Sequence, residues 1–173
     1  MKVIYVHHAM RDKGNPPTQE DGITELGYKD AEVVGQILAE GQAKGVGIKA
    51  IYSSTFFRCL ETARIINKII QVPVLEEDRF NEFGSVHYAV KGLSDPNSKE
   101  TWSQCQERIR SAIKDIVYKY DGDDAVVCVT SGVNIAPFIS LAYGMPSRED
   151  VPFLNIPSCS PIIFDINKNM FEV

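Results

Sequence analysis

The most restrictive stretch of this sequence is Ala125-Val126-Val127-Cys128-Val129, five apolar residues in a row without polar alternation. A run of strand length that is apolar on both sides fits a strand covered on both faces, as in a sheet packed between helices. Asp121-Gly122-Asp123-Asp124 precedes it as a break, and Thr130-Ser131-Gly132 follows. Two other runs share this character. Val3-Ile4-Tyr5-Val6 leads into His7-His8-Ala9-Met10-Arg11, and Ile48 to Tyr52 leads into Ser53-Ser54-Thr55, with Arg58 close behind. Each strand therefore delivers polar groups to its carboxyl end.

The segments between these runs read as helices. Thr24 is placed to cap one that carries Ala31, Val34, Ile37 and Leu38 on one face and stops near the glycines at 41, 45 and 47. A second starts after Ser53-Ser54-Thr55, with Leu60, Ala63, Ile66 and Ile69 or Ile70 as its apolar stripe. A short strand at Val72 to Leu75 precedes an acidic turn, Glu76-Glu77-Asp78, and irregular sequence to about Lys99. Trp102, Cys105, Ile109, Ala112, Ile113, Ile116 and Tyr120 then keep helical spacing, and an apolar helix from Val133 to Tyr143 is stopped by Gly144 and Pro146. Ser160 to Ile166 and Met170 to Val173 read as a terminal hairpin about Asn167-Lys168-Asn169. Strands alternating with helices predict an α/β fold: a three-layer α/β/α sandwich with a mostly parallel central sheet and an antiparallel edge from that hairpin. A chain of 173 residues suits one full core, so a single domain over 1–173 is expected. If the three polar strand ends are neighbours, they converge on one crevice and outline an anion site.

Composition narrows the partners. A net charge of -5 argues against nucleic acid, whose binding rests on a basic footprint. Cys59, Cys105, Cys128 and Cys159 show no metal-binding spacing and read as buried free thiols, which fits a reducing cytoplasm. No apolar run approaches membrane-spanning length and no leader is expected. Neither metal nor cofactor is called for.

The order of these motifs resembles the histidine phosphatase superfamily, also called phosphoglycerate-mutase-like. The family opens with a strand ending in Arg-His-Gly or Arg-His-Ala-Glu-Arg, matched by His7-His8-Ala9-Met10-Arg11. Its Asp-x-x-Leu-Thr-x-x-Gly segment is matched by Asp21 to Gly27, and its Ser-Ser-Pro-x-x-Arg-x-x-x-Thr-Ala by Ser53 to Ala63. Its acid motif corresponds to Phe80-Asn81-Glu82-Phe83-Gly84, and its Ser-His-Gly to Thr130-Ser131-Gly132. Two positions depart: His7 stands where the family has arginine, and Ser131 where it has a second histidine.

The resemblance implies roles. His8 corresponds to the nucleophile, with a backbone carbonyl near Ala9 to orient it, and Glu82 to the general acid. Glu76, Glu77 and Asp78 are near enough in sequence to compete for that role, and His87 lies in the loop beyond. Arg58, Arg11, His7, Ser131 and Gly132 would surround a phosphate; Arg11 reads equally well as a solvated loop arginine. By strand alternation His7 should point away from His8 unless the strand has already turned. The expected activity is hydrolysis of a phosphorylated small molecule through a phosphohistidine, at a reduced rate given positions 7 and 131. A non-catalytic relative that binds a phosphorylated ligand or partner is the alternative, and mutase-type phosphotransfer a third reading.

Overall fold

The protein is described here by a computed structural model covering residues 1–14, 20–83, 100–120, 122–144 and 156–172. Five strands form one sheet: β1 (Lys2–His7), β2 (Ile48–Ser53), β3 (Val74–Glu76), β4 (Ala125–Thr130) and β5 (Pro161–Asp165), in the order β3-β2-β4-β1-β5. All pairings are parallel except that of β5 with β1. The apolar run Ala125 to Val129 is the centre of the sheet, flanked by β2 and β1 and buried at every position.

Helices cover both faces. α1 (Glu25–Ala43) and α2 (Phe57–Ile70) lie on one, α3 (Trp102–Lys119) and α4 (Ile135–Tyr143) on the other. Strand side chains divide between them by alternation: Val3, Tyr5, Val126 and Cys128 pack toward α3 and α4, whereas Ile4, Val6, Val127 and Val129 pack toward α1 and α2. The expected three-layer α/β sandwich with one antiparallel edge is therefore the fold.

Local signals set the helix boundaries. The Thr24 hydroxyl accepts from the Gly27 amide at 3.0 Å, starting α1. Thr101 and Gln104 form a reciprocal capping box at the start of α3. Gly144, at φ +63°, closes α4 in the left-handed region that glycine enters without strain.

Three details differ from expectation. Ile37 is half exposed, because the inward line of α1 runs through Gly27, Ala31, Val34, Gly35 and Leu38 and leaves it on the flank. The helix expected from Val133 begins instead with a 3-10 turn, Gly132–Asn134, before α4. The terminal hairpin has only its first arm, β5, which pairs with β1; Lys168–Phe171 is a 3-10 helix. The Arg110 guanidinium covers the Phe171 ring at 5.2 Å and donates to the Met170 carbonyl at 2.9 Å, docking that segment on α3 instead of on β5. Pro146 and Val173 lie outside the described residues.

Candidate active site

The carboxyl ends of β1, β2 and β4 are level. His7 is in register with Thr130 and Ser53 with Val129. One residue further, the His8 amide donates to the Thr130 carbonyl and the Ser54 amide to the Val129 carbonyl, both at 2.9 Å. Polar residues far apart in sequence thus share one edge of the sheet.

His8 is 9% exposed and held at both ring nitrogens. Nδ1 donates to the Ala9 carbonyl at 2.7 Å, which leaves Nε2 with its lone pair, accepting from Arg58 Nε at 3.1 Å. Burial holds the imidazole down to about 3; the neighbouring His7, Arg58 and Arg11 act the same way, against the pull of the Ala9 carbonyl. His8 is therefore neutral at neutral pH, with its Nε2 lone pair turned to Arg58. Thr62 fixes this segment, its hydroxyl accepting from the Ala9 amide at 3.0 Å and donating to the Arg58 carbonyl at 2.7 Å.

Arg58 sits in the first turn of α2, 2% exposed, with its guanidinium 4.7 Å above the Phe56 ring. Its Nε meets His8, and its Nη2 donates to Glu82 Oε2 at 2.5 Å. One buried cation thus bridges the histidine and the carboxylate. Glu82 follows a 3-10 turn, Asp78–Phe80, while the nearby Glu77 is committed to Arg79 at 2.8 Å. Arg11 forms an isolated bridge with Ile23 and lies 3.7 Å from Asp21, near enough for its charge to bear on His8.

His7 packs beside His8 and over Gly132. The His7 ring is 4.6 Å from the His8 ring, edge to face, because β1 ends at His7 and strand alternation no longer separates them. The exception allowed for in the sequence, a strand that has already turned, therefore applies. His7 Nδ1 donates to the Ile156 carbonyl at 2.8 Å. Burial lowers its pKa, opposed by the Ile156 and Pro157 carbonyls and by Glu82. The ring lies over Gly132, where a Cβ would come within 3.0 Å of His7 Cε1. Ser131 is 2% exposed, and its Oγ has no hydrogen-bond partner among the described residues. Its backbone carbonyl accepts from the Tyr5 hydroxyl at 2.7 Å.

The structure therefore brings His7, His8, Arg58, Glu82, Ser131 and Gly132 to one sheet edge, with Arg11 alongside. Gly84 and His87 lie outside the described residues. Sequence reasoning assigned no role to Thr62, Asn81 or Asn134. The Asn81 carboxamide accepts from the Ser54 hydroxyl at 2.7 Å and from the Thr55 amide and hydroxyl at 3.0 Å, binding the Glu82 segment to the end of β2. Thr62 and Asn81 stood inside quoted motifs, which was the one available signal; Asn134 carried none.

Burial pushes the Cys59 and Cys105 thiols up to about 12, and none of the four cysteines is paired. Cys159 is only partly buried. Among the described residues no group of three or more His, Cys, Asp and Glu side chains is placed to hold a metal, and no helix is long and apolar enough to cross a membrane.

The family model described as "Histidine phosphatase superfamily (branch 1)" matches residues 12–173, a segment that begins just after His7, His8 and Arg11. Solved structures share the fold at low sequence identity. YhfR of Bacillus stearothermophilus aligns over 96% of this chain and 91% of its own, with a TM-score of 0.72 and 22% identity. The mycobacterial glucosyl-3-phosphoglycerate phosphatase, in complex with VO3, aligns over 94% and 90%, with a TM-score of 0.71 and 18% identity. The protein histidine phosphatase SixA, complexed with tungstate, aligns over 98% and 91%, with a TM-score of 0.69 and 11% identity. No curated protein sequence matches.

Proposed function

The chain belongs to the histidine phosphatase superfamily, and from that premise we propose that it hydrolyses phosphomonoesters through a phosphoryl group carried on His8. The observation that carries this reading is the state of His8: neutral, oriented at Nδ1 by the Ala9 carbonyl, and presenting Nε2 beside the buried Arg58 guanidinium. A phosphoryl oxygen drawn to Arg58 brings its phosphorus toward that lone pair.

In the first step the phosphoryl oxygens take over the Arg58 donors that His8 Nε2 and Glu82 hold, His8 Nε2 forms a bond to phosphorus as the ester P–O bond breaks, and Glu82, protonated once its ion pair with Arg58 is given up, passes its proton to the leaving oxygen. In the second, water attacks the phosphohistidine and returns a proton to Glu82, releasing phosphate and restoring Nε2. Arg58, Arg11 and the Gly132 amide supply donors to the equatorial oxygens, and the Ser131 hydroxyl, unpartnered at the edge of the site, supplies another. Phosphate-like oxyanions such as vanadate and tungstate, which occupy two of the structural neighbours, serve as probes of the pocket.

Position 131 supports a second reading, in which the pocket binds a phosphorylated ligand without turnover. Serine gives a neutral, short donor where an imidazolium could offer charge and reach. A lost donor to developing charge costs on the order of 10²-fold in rate. The test is hydrolysis of 4-nitrophenyl phosphate by the wild type, His8→Ala and Ser131→His. Turnover in the wild type that disappears in His8→Ala and rises by about 10-fold or more in Ser131→His is expected. Oxyanion binding without turnover in both the wild type and Ser131→His would establish the binding reading instead.

A further inference from the structure

Glu82 lies in a short segment outside regular structure, yet a general acid has to be placed to within a fraction of an ångström. What fixes it is a side chain from a distant part of the sequence, after β4. Asn134, the last residue of the 3-10 turn before α4, is fully buried. Its Nδ2 donates to the Phe80 carbonyl at 2.9 Å, to the Asn81 carbonyl at 3.0 Å and toward Thr130 Oγ1 at 2.8 Å. Its Oδ1 accepts from the Phe83 amide at 3.3 Å. Thr130 Oγ1 in turn donates to the Phe80 carbonyl at 2.6 Å.

The carboxamide therefore grips the backbone before Glu82 and again immediately after it, at residues 80, 81 and 83, without touching the Glu82 carboxylate in any of these bonds. Its backbone amide donates to the Ser131 carbonyl at 3.1 Å, which ties the same residue to the strand end beside His7 and Gly132. Any buried carboxamide needs partners; what distinguishes this one is that its partners are the backbone groups on either side of Glu82, which makes it a rigid reference point for that residue. Asn134 thus couples the position of Glu82 to the end of β4, where the phosphate would lie.

We propose that Asn134 is a positioning residue for proton donation by Glu82 to the leaving oxygen. The proposal rests on the phosphatase reading, and it predicts a dependence on leaving group that general loosening of the fold would not produce. A phenolate of high pKa needs a proton as it departs, whereas 2,4-dinitrophenolate does not.

The experiment compares phenyl phosphate and 2,4-dinitrophenyl phosphate as substrates for the wild type, Asn134→Ala, Asn134→Ser and Glu82→Gln. Asn134→Ser keeps a hydroxyl in the buried space but cannot span two carbonyls and an amide, and it provides a second folded variant. The expected result is a fall in kcat/KM, which reads the steps up to departure of the leaving group and not the later hydrolysis of the phosphohistidine, of about 10- to 100-fold on phenyl phosphate in both Asn134 variants, with kcat/KM on 2,4-dinitrophenyl phosphate nearly unchanged, the pattern that Glu82→Gln shows more strongly. Equal losses on both substrates, or no loss on either, overturn the proposal while leaving the phosphatase reading intact. Absence of His8-dependent turnover of 2,4-dinitrophenyl phosphate in the wild type overturns both.

Discussion

His8 carries a cost to stability that has a definite pH signature. Its folded-state pKa is held down to about 3 from an ordinary 6.5, chiefly by burial. Above pH 6.5 the imidazole is neutral whether the chain is folded or not. Between pH 6.5 and 3 the unfolded chain binds a proton that the folded chain refuses, so stability is lost as pH falls through this window, by up to ~1.4 kcal/mol per unit. His7 is shifted in the same direction and adds to the slope. Urea unfolding of His8→Asn is predicted to show a shallower loss of stability over that range than the wild type; an unchanged slope would mean that His8 is not held neutral by the fold. The residue scale is also where sequence reading stopped short. His7, His8, Arg58 and Glu82 stood in recognisable surroundings, but Thr62, Asn81 and Asn134 act through hydrogen bonds to residues 26 to 54 positions away. Such nonlocal polar contacts leave no periodic trace in a sequence.

At the level of elements, the site depends on how α1 docks against the chain leaving β1. The Thr24 amide donates to the Met10 carbonyl at 2.9 Å, and at Gly27, in the first turn of α1, a Cβ would lie 2.8 Å from the Met10 carbonyl oxygen and 2.9 Å from its nitrogen. Neither is the movable end of a side chain, so Gly27→Ala must displace backbone between His8 and Arg11. A loss of about 1–3 kcal/mol by thermal or denaturant unfolding is predicted, together with weaker vanadate binding; full stability and unchanged binding would contradict this docking. The helices and strands themselves were legible, because apolar periodicity and capping residues are local signals. Ile37 and the terminal segment were not. The inward line of α1 is set by close approach to α2 at Gly35, where a Cβ would be 2.7 Å from Ile69 Cδ1. The last residues are drawn to α3 by Arg110, a tertiary partner invisible to hairpin chemistry.

Across the whole molecule, two cores share one sheet, and the larger is joined to the site through aromatic rings. Phe138 of α4 is fully buried, with its ring 5.2 Å from Tyr5, 5.9 Å from Phe80 and 6.0 Å from Phe164. Tyr5 bonds the Ser131 carbonyl, and Phe80 precedes the Glu82 segment, so this core supports both sides of the pocket. Phe138→Ala is predicted to cost about 3–5 kcal/mol in equilibrium unfolding, and a cost below about 1 kcal/mol would show that the cluster does not carry the fold. The proposed activity turns on a single covalent bond, that between His8 Nε2 and phosphorus. Rapid quenching of the wild type with 2,4-dinitrophenyl phosphate, followed by mass-spectrometric localisation of the trapped phosphoryl group, tests it most directly. A phosphoryl group on His8, absent from His8→Ala, is expected; turnover that proceeds with no phosphorylated protein, or with the group on another residue, would contradict a phosphohistidine mechanism.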